Sequence, residues 1–325
     1  MTVASSYEKV FYDLRPGKQI ERRMLLDTFQ LLSNGGFRIS DYQYTGFGSI
    51  YFVDFVLFHK YLGISKLLSL EHDPAAEKRA RFNKPYDLIT LEIKSAFDAI
   101  PSLDRDVKHI LWLDYDFALE ASVLADVQQA AFQLSVGSIL LVTIDVEPPE
   151  LEENTEGDEE PVRKTSPEIS MQLLKEESGS LWNPGWTAAD FAASALSNRG
   201  RDILNLAVMN SLAVRPGVSF LPLFSFLYRD GHSMYTFGGM IGGDSERHAL
   251  DGCGLTRSRY LRRAVTDEPY EIAVPRLTRK ERMYLDSLMP LPQQHTRNQI
   301  GFSARQLRAY EEVYRFFPNY VEALL

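Results

Sequence analysis

A chain of 325 residues, 45% of them hydrophobic, can bury a sizeable core as one large α/β domain with additions or as two smaller domains, which excludes disorder of the whole. Its 35 basic and 44 acidic residues leave a formal charge of −9, which argues against a nonspecific nucleic-acid binder. One cysteine, Cys253, excludes an intramolecular disulfide framework and a multi-cysteine metal cluster, and points to a reducing, cytoplasmic compartment.

The amino terminus carries no apolar run of signal-peptide length. The densest apolar run, Ile50 to Phe58, is interrupted by Asp54 and is too short to span a bilayer, so no membrane association is expected. Residues 1–40 read as a helical extension. In it Ile20, Met24, Leu31 and Leu32 recur at helical spacing, and Gly35 and Gly36 end the pattern, which predicts a helix from about Lys18 to Ser33. Its cations, Arg15, Lys18, Arg22 and Arg23, are read as a solvated face in preference to an anion site.

The stretch Tyr42 to Asp73 organises the chain. A short strand runs into a glycine turn spanning Thr45, Gly46, Phe47 and Gly48, an apolar helix follows from about Ile50 to Leu62, and a second strand, Lys66 to Leu70, ends on Glu71. Such a βαβ unit sets the turn and the acid side by side at the carboxyl edge of a parallel sheet, where open α/β folds bind ligands. Glycines admit close backbone approach, and a carboxylate there can accept both ribose hydroxyls, so an adenosine-type cofactor is expected. His72, next to Glu71, is read either as an adenosine contact or as a surface residue. His59 is read as a packed residue, and Tyr51 and Phe52 as core in preference to a pocket wall.

Further along, Asp73 and Pro74 open a short helix, DLITLEI is a third strand, and HILWLDYD is an apolar fourth strand delivering Asp114 and Asp116 past its end. A helix from about Leu119 to Leu134 and the strand SILLVTIDV complete five strands alternating with helices, the pattern of a parallel sheet covered on both faces. Residues 147–160 carry eight acids and no base, so a mobile surface insertion is expected from about 147 to 179. A helical segment from Thr187, with a break near Gly200, precedes two strands joined at Asp230 and Gly231, a strong hairpin signal. Residues 251–325 read as a mostly helical region, with Thr278 and Ser303 as N-caps.

The order of parts resembles a divergent class I S-adenosylmethionine-dependent methyltransferase over about residues 40 to 240, in a Rossmann-like α/β domain placed at 41–250. The resemblance rests on Gly46 and Gly48 after the first strand, Glu71 ending the second, Asp114, Tyr115 and Asp116 after the fourth, and the terminal hairpin at Asp230 with an antiparallel last strand. It implies S-adenosylmethionine as cofactor, with Gly46 and Gly48 at its methionine end, Glu71 on the ribose hydroxyls, and Ser95, Ala96 and Phe97 beside the adenine. The chain departs from the family pattern in having Tyr44 and Thr45 before only two glycines, and Lys94 and Ser95 where an acid usually follows the third strand. Asp114 is the residue expected to carry the chemistry, as base or substrate positioner, with Asp116 beside it; a metal is not expected, because no further acid or histidine is fixed near the pair. The acceptor is not specified, O-methylation being one outcome and a homo-oligomer compatible with the reading. The competing readings are a methyltransferase-like binding or regulatory protein without catalysis, and a NAD(P)-dependent oxidoreductase, against which the hairpin and the missing third glycine count.

Overall fold

The computed structural model describes residues 15–153, 162–290 and 301–318. The first helix, α1 (Pro16–Asn34), starts with Pro16 in its first turn and buries Ile20, Met24, Leu25, Phe29 and Leu32 along one face. There follow β1 (Gln43–Gly46), α2 (Val53–Leu62), β2 (Lys66–Glu71), α3 (Glu77–Asn83), β3 (Ile89–Ile93), β4 (His109–Ala118), α4 (Ala121–Gln133) and β5 (Ile139–Asp145). Beyond them lie β6 (Leu151–Glu153), β7 (Val162–Lys164), α5 (Pro167–Ser178), α6 (Leu196–Leu212), β8 (Ser219–Asp230), β9 (His232–Gly242), α7 (Asp244–Gly252), β10 (Tyr270–Ile272), α8 (Arg279–Asp286) and α9 (Ala304–Val313).

Eight strands form one sheet in the order β10-β8-β9-β5-β4-β1-β2-β3. Pairing is parallel except at β9, which runs antiparallel to both β5 and β8. Strand order reverses at β1, so the crevice between the carboxyl ends of β1 and β4 is the switch point where such sheets take ligands. One core cluster joins α1 and α2 to one face through Phe29, Phe55, Phe58, Trp112 and Phe224, and a second joins α4 and α6 to the other through Leu111, Val127, Leu140 and Leu204. Side chains of this size stabilise the fold by about 1.5–3 kcal/mol each when fully buried. The parallel sheet, its helical cover and the terminal hairpin thus match the expected class, with Gly231 at φ +97° in the hairpin turn.

Several local expectations give way. Of the four cations read as a solvated face, Arg23 is exposed, but Lys18 and Arg22 are buried, at 1% and 3% exposure. Helix α2 starts at Val53, not Ile50, because Ser49 and Phe52 are left-handed and the chain cannot be helical through them. Gly200 does not break its helix. A Cβ there would lie 3.1 Å from Ile144 Cδ1, so the glycine lets α6 approach β5, and the irregular turns lie earlier, at Ala188–Phe191 and Ala193–Ala195. The 147–179 insertion carries structure: β6 pairs antiparallel with β7, and α5 follows, capped by Ser166; the most acidic part, 154–161, lies outside the described residues. Strand β10 went unrecognised because three residues show no period, yet it extends the sheet by pairing parallel with β8.

Candidate active site

The carboxyl edge of the sheet gathers the ends of β1, β2 and β4. After Gly46 the chain makes a turn held by the Phe52 N–H donating to Gly48 O at 2.8 Å, with Ser49 and Phe52 at φ 50° and 51°. Two non-glycine residues in left-handed conformation within four positions store strain of the kind that clusters at functional turns. Gly48 is needed for a reason the sequence does not show. A Cβ there would stand 2.4 Å from Ser69 Oγ and 2.8 Å from the Phe52 ring, so the turn is seated against β2 and its own loop. Thr45 is buried in β1, and the Phe47 ring packs on Tyr115 with centroids 5.3 Å apart.

Glu71 ends β2 as expected, and its Oε1 accepts a hydrogen bond from the Asp73 N–H at 3.0 Å. His72 Nδ1 lies 3.6 Å from the same oxygen, but the imidazole is 85% exposed. Ser69 Oγ and Ser49 Oγ, near the glycine turn, are buried with no hydrogen-bond partner. At the next strand end, Ser95 Oγ caps the single-turn helix Ala96–Ala99 by accepting from the Asp98 N–H at 3.1 Å; Ala96 is buried and the Phe97 ring is largely exposed. Glu71 and the glycine turn therefore adjoin through the β1–β2 pairing, and residues 95–97 follow the neighbouring β3.

Asp114 and Asp116 lie within β4 and not past its end, and the register with β5 slips between Asp114 and Ala118. Asp116 is exposed and does not cap α4, whose N-cap is Glu120. Asp114 is engaged: Lys18 Nζ donates to its Oδ1 at 2.6 Å. The lysine also lies 4.2 Å over the Trp112 ring and 3.0 Å from Glu21 Oε2. One helical turn on, Arg22 Nε is bound to Asp54 Oδ1. The helix that supplies these cations is fixed at its start by Asp230, whose Oδ1 and Oδ2 accept from the Gly17 and Lys18 N–H groups at 2.9 and 2.8 Å. A carboxylate 213 residues away thus serves as the N-terminal cap, satisfying free N–H groups and the helix dipole together.

Charge follows from this geometry. Burial would raise the Asp114 carboxyl, but Lys18 outweighs it and holds Asp114 below its ordinary value, hence ionised. Burial works against the Arg22 charge, and Asp54 more than offsets it. Glu21 is the exception: burial raises it above its ordinary value, and Lys18 only partly compensates. Lys18 and Arg22 are matched by Asp114 and Asp54, and Glu21 is the additional buried acid whose ionisation burial opposes. Because the folded-state Glu21 carboxyl is raised, folding takes up a proton at pH values above 4.5, and the associated loss of stability is absent below that value and grows as pH rises. Glu21→Gln removes that cost, so its melting temperature relative to wild type is expected to climb between pH 5 and pH 8; a difference that stays flat or falls would show Glu21 to be ionised.

Lys18, Glu21, Arg22, Asp54 and Asp230 were not among the residues the sequence singled out for the site. The available signal was the RPGKQIERR run, where Lys18, Glu21 and Arg22, at i, i+3 and i+4, share one side of the helix. On the other face Tyr115 Oη donates to Asp126 Oδ2 at 2.5 Å, and burial raises both groups above their ordinary values. Among the described residues no group of three or more His, Cys, Asp or Glu could hold a metal ion, and no helix is long and apolar enough to cross a membrane.

A sheet reversing at β1, a glycine turn and strand-end acid on adjacent strands, a carboxylate at the β4 edge and an antiparallel β9 set between β5 and β8 define a class I methyltransferase fold. The chain belongs to the family described as "Putative O-methyltransferase", whose sequence pattern matches residues 10–325. Among solved structures it is similar to cofactor-bound Rv0187 from MTB, at 14% identity over 74% of this chain and 83% of that one, with a TM-score of 0.34. It is also similar to the O-methyltransferase TomG from Streptomyces achromogenes, involved in tomaymycin synthesis and solved with SAM (14% identity, 68% and 79% covered, TM-score 0.37). A third is the O-methyltransferase from Bacillus cereus in complex with SAH (11% identity, 69% and 90% covered, TM-score 0.33). At such identities and TM-scores none of them assigns a residue or a ligand to this chain. No curated protein matches it.

Proposed function

We propose that this protein transfers a methyl group from S-adenosylmethionine to a hydroxyl acceptor, with the donor in the crevice between β1 and β4. The observation that carries this reading is Asp114: an ionised carboxylate at the β4 edge, one strand from the glycine turn, with Oδ1 held by Lys18 and the side chain still 21% exposed. The residues fit the cofactor. Glu71 commits one oxygen to Asp73 and keeps the other for ribose hydroxyls, and the partnerless Ser49 and Ser69 hydroxyls lie by the turn where an amino-acid moiety needs polar contacts. When bound, the cofactor supplies an electrophilic methyl group on a cationic sulfur. Asp114 would accept a hydrogen bond from the acceptor hydroxyl and align its oxygen, while Lys18 fixes the carboxylate in place. Composition supports the cytoplasm, since one buried cysteine in 325 residues suits a reducing compartment.

Glu71→Ala is the test of the donor site. It should fold, because Glu71 is partly exposed and its one hydrogen bond is local, and it should lose S-adenosylmethionine affinity by about 1.5–3 kcal/mol for each charge-assisted hydrogen bond removed. Titration calorimetry giving wild-type affinity in the folded variant would reject the ribose assignment.

A further inference from the structure

The carboxyl edge of the sheet also holds a cavity of about 710 Å³ that the donor crevice does not account for. We propose that it receives the anionic end of the methyl acceptor, a small organic molecule carrying a carboxylate or phosphate on an apolar body. The proposal rests on the methyl-transfer reading only for calling this ligand the acceptor.

Size and place come first. The volume falls in the range of about 300–1,000 Å³ usual for small-molecule sites. One end is formed by Val146, immediately after β5, and β5 pairs directly with β4, the strand that carries Asp114. Asp114 pairs with Thr143, three residues before Val146, so at about 3.3 Å per residue and about 4.8 Å between strands a ligand seated against Val146 spans about 11 Å along the carboxyl edge to reach Asp114. The wall nearest the buried cluster is Tyr228, whose ring is 5.7 Å from Lys18 Nζ.

Charge decides what the ligand is. Three arginines, Arg229, Arg276 and Arg305, line the cavity against one carboxylate, Glu271, in a protein whose formal charge is −9. Arg229 is occupied by Glu147 at 3.0 Å. Arg276 and Arg305 have no ion-pair or hydrogen-bond partner among the described residues. Arg305 stands in the first turn of α9, a turn that contains no acid, where a cation is opposed by the helix dipole. Such a placement is unfavourable for the helix alone and becomes favourable when an anion lies between the guanidinium and the helix start. Leu227, Ile272 and Val274 provide the apolar lining on which the body of the molecule would rest.

The test is calorimetry on the full chain with phenyl phosphate, benzoate and neutral benzamide as probes. Wild type should bind at least one of the two anions saturably and benzamide about tenfold more weakly or not at all, and the Arg276→Gln/Arg305→Gln double variant should lose about tenfold of the anion affinity. Preference for phenyl phosphate over benzoate would mark a phosphorylated acceptor, and the reverse a carboxylated one. The proposal is overturned if neither anion binds, if benzamide binds as tightly, or if the double variant keeps full anion affinity. Both arginine substitutions should leave S-adenosylmethionine affinity unchanged. Arginine-dependent anion binding without any cofactor binding would therefore keep the pocket and remove methyl transfer, and cofactor binding without anion binding would do the opposite.

Discussion

Asp114→Asn is expected to cut methyl transfer by about 10²-fold, the scale of a misaligned reacting hydroxyl once the charged hydrogen-bond acceptor is lost, while the protein folds and binds its cofactor nearly as before. Folding should survive for a specific reason. The amide keeps a hydrogen bond from Lys18 Nζ, and although burial is the main cause that raises Glu21, the Asp114 charge is another, so its removal lowers the cost of a Glu21 charge 3.0 Å from the lysine. The rate loss and the compensation are separable measurements. Turnover is followed once an acceptor is found, and the pH dependence of stability is compared with wild type, where the rise with acidification attributed to Glu21 should shrink. Full turnover in Asp114→Asn would confine the carboxylate to holding Lys18.

The largest effect on stability is expected from Arg22→Leu, which leaves Asp54, 6% exposed, without the cation bound to it. Removing one partner of a buried pair costs about 3–5 kcal/mol, because the remaining charge has lost both water and countercharge. The double variant Arg22→Leu/Asp54→Leu should recover most of that loss, since replacing both charges by apolar groups of similar bulk is nearly neutral. Urea denaturation of the two singles and the double gives the coupling directly; losses that simply add would mean that the pair is not what holds α1 against α2.

How much of this was legible can be seen by comparing Glu71 with Lys18. Glu71 could be placed from sequence, because an apolar run of strand length ending on an acid, two glycines and one helix earlier, has only one arrangement in a right-handed βαβ unit. The pairing of Thr45 with Leu68 and Gly46 with Ser69 is that arrangement. Lys18 could not. It lies in a run with Arg15, Arg22 and Arg23, and a helix with four cations near its start reads as solvated unless something across the fold receives them. What receives them is Asp114, 96 residues away, and Asp54, 32 residues away, and what fixes the helix there is Asp230, 213 residues from Gly17. The acidic insertion shows the same limit in reverse: composition spoke for a loop, and β6 pairing with β7 together with the capped α5 formed structure within it.

The sequence by itself determined the parallel sheet, the switch point at β1, the strand-end position of Glu71 and the hairpin at Gly231, since each rests on the period of apolar residues or on a backbone conformation that glycine favours over a few neighbouring positions. Only the tertiary structure decided that Gly48 is seated against Ser69, that Asp114 is bound to a buried lysine, that Glu21 is raised beside it, and that Arg276 and Arg305 meet at one cavity. Those facts depend on desolvation and on charges brought together from distant parts of the chain. Both are properties of the packed interior, and residue order within any single window does not encode them.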